Sequence, residues 1–314
     1  MNSEQPEWIA SAFGQPPTQY WSRPLEGGLT HLVASWETEE SLVADDAGGL
    51  YVFDRAGTLR HMTRGYPHVR AVAISADGER ALVAFEDRNL ACFDRQLRLK
   101  WTKTLYDTIL EVALDPFGRH MAVSLAGRRL HIMTTSRREI AELETQRPIR
   151  FLRFAMTHPY LVAAAEDGLL AGIEFLGRVD WEERLFATAG DMAINGNASM
   201  ILLTGFAHGL QRYNGQGRNR GTFVVEGSPA RLATSFSGEQ IATATLEGQL
   251  YRLDRKGNLT WATAIPEEIP AICLSATGDA LTVGLASGRV VRLDWRAPPD
   301  GEGGTGRRGE GENW

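Results

Sequence analysis

A chain of 314 residues with 43% hydrophobic content can bury a real core, as two ordinary domains or one large all-β domain. A net charge of −6 favours solubility and argues against a dedicated nucleic-acid binder, and two cysteines, Cys92 and Cys273, exclude a disulfide framework. No stretch approaches the roughly 20 apolar residues of a membrane span. The start, MNSEQPEWIASAF, lacks the basic region and apolar core of a secretory signal. Free thiols and no signal predict a cytoplasmic protein.

In chain order, residues 1–17 form an N-terminal extension carrying Trp8, Ile9 and Phe13, read as a short helix that packs on the rest of the chain or docks a partner. TQYWSRPL (18–25) then reads as an aromatic-rich strand running into the turn at Gly27 and Gly28. From Leu29 a 40-residue frame repeats without insertion, restarting at Val69, Ile109, Ile149, Ala189, Pro229 and Ile269. Its twenty-second position is Leu50, Leu90, Leu130, Leu170, Leu210, Leu250 and Val290; its twenty-sixth is Asp54, Asp94, Thr134, Glu174, Asn214, Asp254 and Asp294. The second repeat shows the contents of the frame: AVAIS (71–75), ALVAF (81–85), LACFD (90–94) and KWTKTL (100–105), separated by turn residues. Four short strands per 40 residues, repeated seven times, predict a seven-bladed β-propeller of four-stranded blades.

The last repeat has only three strands before the Gly-rich stretch 296–314, which is expected to be disordered. Counting back 40 residues from His61, in the column of Trp101, Trp181 and Trp261, lands on Trp21. Residues 18–28 are therefore predicted to supply the missing outer strand, so that the domain 18–295 closes with its own N-terminal strand and leaves no open seam.

The phrases SADGERALVAF (75–85) and SATGDALTVGL (275–285) resemble the first hairpin of WD-repeat blades. The spacing of Asp254, Gly257 and Trp261 resembles the docking tryptophan of quinoprotein-like repeats, although the Gly-His and Trp-Asp dipeptides of true WD repeats are missing. The resemblance spans about residues 18–295 and implies architecture; the chain is too short for the eight blades and cofactor apparatus of quinone-dependent dehydrogenases. It also implies that binding uses the end formed by inter-blade connections.

At the opposite end, the position-26 acids are expected to bond turn amides, with Arg212, Arg252 and Arg292 on the same strand face able to pair with them. The basic residues of those turns (Arg55, Arg95, Arg137, Arg178, Arg218, Arg255, Arg296) face acids of the neighbouring hairpins and read as a compensated rim. The connection end gathers His31, Arg70, Glu111, Arg150, Asp191 and Arg231, with Arg128 and Arg129 beside Arg150. Arg153 stands alone in a hub-strand column of otherwise small residues, where a charge needs a partner or a purpose. These nine residues form the candidate interaction face: an arginine-rich arc suited to carboxylate or phosphate, or a set of inter-blade pairs such as Glu111 with Arg150 and Asp191 with Arg231.

Catalytic chemistry finds little support. The seven histidines occupy seven different frame positions, and no phosphate loop or nucleophile elbow is present. No cofactor or metal is expected. The favoured function is a monomeric, non-catalytic scaffold that binds a protein partner's peptide or acidic segment, without membrane or nucleic acid. The alternatives are a lactonase- or hydrolase-like enzyme at the channel mouth and a sensor binding a small anion near Arg153.

Overall fold

Strand alternation within each repeat resolves into four antiparallel strands hydrogen-bonded in sequence order, in a computed structural model that describes residues 6–186, 188–205 and 209–296. The first strands, Leu29–Ala34, Val69–Ile74, Ile109–Leu114, Ile149–Phe154, Ala189–Ile194, Pro229–Thr234 and Ala271–Leu274, contact one another in a closed circle. They form the hub of a seven-bladed propeller, and the core lies in the layers between adjacent blades.

Two side-chain columns recur through the frame, one in six blades and one in three. At the seventh position a short polar side chain accepts from the backbone N–H five residues on and closes the first hairpin. Ser35 caps Glu40, Ser75 caps Arg80, Asp115 caps His120, Asn195 caps Met200, Ser235 caps Gln240 and Ser275 caps Ala280. At the thirty-third position a tryptophan docks on the next blade. Trp21, Trp101 and Trp181 donate from Nε1 to the carbonyls of Arg55, Thr135 and Gly215, at 2.8–2.9 Å. Gly57, at φ +76°, lies against the Trp21 ring so closely that a Cβ there would sit 2.4 Å from it. The Asp-x-x-Gly…Trp spacing thus pairs a flat turn with an indole from the preceding blade.

Closure follows the predicted register. Thr18–Pro24 lies antiparallel to Arg289–Asp294, with Thr18 opposite Asp294 and Trp21 opposite Arg292, and completes the seventh blade. The sixth blade has a fifth strand that the repeat count did not foresee: Phe13 and Gly14 pair with Ala262 and Trp261. Just ahead of it, the one-turn helix Glu7–Ala10 buries Ile9 completely against Trp261, Ile265 and Ile269. Trp295 donates from Nε1 to the Gln15 carbonyl at 3.0 Å and stands edge-on to Trp261.

The twenty-sixth position behaves as a turn cap. Asp54, Asp94, Asn214 and Asp254 each accept the amide four residues on, at 2.8–2.9 Å. The arginines two residues before this position go elsewhere, and this corrects the expected pairing. Arg212 donates to the Arg220 carbonyl, Arg252 to the Gly278 carbonyl, and buried Arg292 to Glu39 of the next blade. Arg252 and Arg292 thus reach across to the next blade, while Arg212 stays within its own. Of the stretch expected to be disordered, Arg296 forms ion pairs with Asp294 and Asp279, and residues 297–314 lie outside the described residues.

Candidate functional site

The seven hub strands surround an axial cavity of about 690 Å³. Positions 3 and 5 of a strand share a face, so His31, Glu111, Asp191 and Arg231 line the cavity at one level, and Arg153 and Cys273 at the next. A register shift after the first residue of the hub strand, seen in six blades, lets position 2 reach the mouth as well. That shift places Arg70 and Arg150 there. Seven of the nine residues named from the sequence therefore meet in one site. Arg128 and Arg129 do not: they stay on the outer part of the third blade, paired with Glu144 at 3.3 and 3.6 Å, with Arg129 also 3.6 Å from Glu142.

The pairs also differ from those expected. Arg150 reaches Glu166 at 3.1 Å, and Arg70 finds Glu86 only at 3.9 Å, with its Nε lacking a partner among the described residues. Arg153 lies 3.6 Å from Asp191 and donates to its neighbour's carbonyl, Leu152, at 2.8 Å. Arg231 donates to the backbone carbonyls of Ala230 and Pro270. Asp191 accepts the amides of Met192 and Leu232 at 2.7 and 2.9 Å, tying the fifth blade to the sixth.

Burial governs the protonation states. It pushes the Glu111 carboxyl up to about 7, against the pull of Arg153, and raises the Asp191 carboxyl against the same guanidinium. It lowers the His31 imidazole, and the nearby Arg231 adds to that shift. His31 Nε2 lies 3.0 Å from the Arg70 carbonyl, which only accepts, so Nε2 carries the proton. Nδ1 is then a buried acceptor without a partner among the described residues. The Cys273 thiol, pushed up to about 12 by burial, is a poor nucleophile. With burial pushing the Glu111 carboxyl up, the arginines Arg70, Arg150, Arg153 and Arg231 outweigh the acids on the hub strands, so the mouth leans positive and can receive an anion.

The other end is different. Among its turn arginines, Arg95 donates to Glu40 and Glu79, Arg255 to Glu239, and Arg55 lies 3.6 Å from Glu39, while Arg137 packs over the Trp101 ring. Around the axis there, the eighth frame position, with Glu37 just after it in the first repeat, forms a chain of backbone bonds: Glu37 to Ala76, Ala76 to Pro116, Met156 to Gly196, Gly196 to Phe236, Phe236 to Ala276. Trp36 and Phe236 meet edge-on at 5.6 Å beside this axis. Sequence reasoning missed this collar, although its signal was present: Trp36, Ala76, Pro116, Met156, Gly196, Phe236 and Ala276 put a nonpolar residue inside every first hairpin.

No family model and no curated protein matches the chain. Among solved structures it is similar to the β-propeller domain of Cps50 (Swd1) from Myceliophteria thermophila, at 15% identity and a TM-score of 0.74 over 89% of this chain and 99% of that one. Among the described residues no helix is long and apolar enough to cross a membrane. Seven blades built on four antiparallel strands, a ring closed by the N-terminal strand and this structural likeness make the chain, by fold, a seven-bladed β-propeller.

Proposed function

We propose that the chain is a non-catalytic interaction scaffold, a monomer of the cytoplasm, that receives an acidic segment of a protein partner at the channel mouth. The observation that carries this reading is the incomplete pairing of the mouth arginines: Arg70 has one carboxylate at 3.9 Å, and Arg153 has one at 3.6 Å. A carboxylate from a partner supplies the short, charge-assisted hydrogen bonds these groups lack. A second reading, a small anion held inside the channel, is favoured by a cavity of about 690 Å³, within the size range of small-molecule pockets.

The test is affinity capture from native lysate, comparing wild type with a variant carrying Arg70→Glu and Arg150→Glu and with the rim control Arg255→Glu. The mouth variant is expected to lose partners that the rim control keeps. Identical partners for all three would remove the mouth as the binding surface. Competition by millimolar citrate or phosphate separates the second reading: a small anion that fills the channel raises the melting temperature of the isolated chain.

A further inference from the structure

On the outer strands of the third blade, His131 lies directly opposite Glu142 in the ladder. Three residues earlier in that strand, Glu139 would normally point to the other face. The register shift between Ile132 and Met133 pairs Glu139 with Met133, and so returns it to the face of His131. One atom each of His131, Glu139 and Glu142 lies within 4.8 Å of the others, and His131 Nδ1 is 3.2 Å from Glu139 Oε2. We propose that these three side chains form a binding site for a divalent transition-metal ion of the zinc class.

The spacing suits such an ion. With nitrogen and oxygen ligands about 2.0–2.1 Å from a tetrahedral zinc, adjacent ligand atoms lie about 3.3 Å apart. The imidazole is held in place: His131 is 7% exposed, and its Nε2 lies 3.2 Å from the Tyr106 hydroxyl, contributed by the connection from the second blade. With Nε2–H donating to that oxygen, Nδ1 presents its lone pair to the ion, an outer-sphere support typical of ligating histidines. Both carboxylates are solvent-accessible, which gives the ion a route in and leaves a fourth position for water. The competing cation is Arg129, 3.6 Å from Glu142; it has a second carboxylate, Glu144, at the same distance and can release Glu142 cheaply. One imidazole with two carboxylates favours zinc-class ions over calcium or magnesium, which prefer oxygen alone.

The experiment is calorimetric titration of tag-free, chelator-treated full chain with zinc chloride, repeated with cobalt(II) chloride and read by its visible absorption. One equivalent is expected to bind. Glu139→Gln and Glu142→Gln, at exposed side chains that leave the fold intact, should each weaken binding by at least about tenfold. His131→Ala should abolish it, and His120→Ala, whose imidazole pairs with Asp115 instead, should leave it unchanged. The proposal is overturned if wild type shows no saturable binding, if the two Gln variants bind as wild type does, or if calcium or magnesium competes on equal terms.

Discussion

At the turn rim, buried Glu40 takes two guanidinium nitrogens of Arg95, while at the channel mouth Arg70 reaches its one carboxylate at 3.9 Å and Glu111 holds its proton up to about pH 7. The two ends draw on the same residue types in the same 40-residue frame. What separates them is hydration and pairing. Rim charges, buried ones such as Glu40 included, are already satisfied by amides and opposite charges, and so contribute to the fold. At the mouth, the Glu111 and Asp191 carboxyls face the axis where burial outweighs the pull of the nearby guanidinium. A group that costs stability where it stands points to a use other than folding.

The coarsest break removes the frame that keeps the ends apart. Deleting residues 1–27 takes away the outer strand of the seventh blade, the Trp21 dock and buried Ile9, and exposes a long strand edge. Loss of soluble, cooperatively melting protein is the expected result. A truncated chain that melts like the full one would overturn closure as a source of stability.

At the rim the break is Glu40→Ala. It removes the buried one of Arg95's two carboxylates, leaving Glu79 at 3.2 Å, and should cost about 1 kcal/mol, measured by urea denaturation near pH 7.

At the mouth the opposite sign is expected. Glu111 holds its proton up to about pH 7 when folded, whereas its ordinary value is 4.5. Between those values the folded state binds more protons than the unfolded one, so this group's contribution to stability falls as pH rises through that window. Glu111→Gln should therefore stabilise the protein at pH 8, by about 1–3 kcal/mol, and the gain should vanish below about pH 4.5. Destabilisation at pH 8 would mean that the charged carboxylate is satisfied after all, and the contrast between the ends would fail.

The smallest effect belongs to an exposed rim pair. Arg255→Ala leaves Glu239 in water and should change stability by no more than about 0.5 kcal/mol in the same urea assay.

Much of the ring was legible because its determinants are local and recur. The Trp21 column placed the closing strand, and structure and sequence agree on Thr18–Pro24 in register with Arg289–Asp294. That seven of the nine named residues gather around the channel was legible too, since strand alternation and hub position follow from the frame. Their partners were not legible. Whether Arg150 meets Glu111 or Glu166 depends on rotamers and on the register shift at the second position, and a period leaves no trace of either. The fifth strand at Phe13 and Gly14 escaped because it belongs to no repeat. The grouping of His131 with Glu139 and Glu142 escaped for a related reason: three residues apart on a strand reads as opposite faces until the bulge is known. Tyr106, which steadies that imidazole, comes from another blade.

The pairing of Thr18 with Asp294 also has a consequence in time. On a ribosome adding about 5–20 residues per second, the closing strand emerges first and waits some tens of seconds for the strand it must join. Six blades can assemble their four strands from neighbouring sequence meanwhile, each a local event, the sixth taking Phe13 and Gly14 only as an added outer strand. The seventh is the one blade whose partners are set by the longest separation in the chain, so its completion is the natural last step. Until then Trp21 and the edge of Arg289–Asp294 are exposed, and that interval is when a nascent ring is open to chaperones or to a strand from another copy.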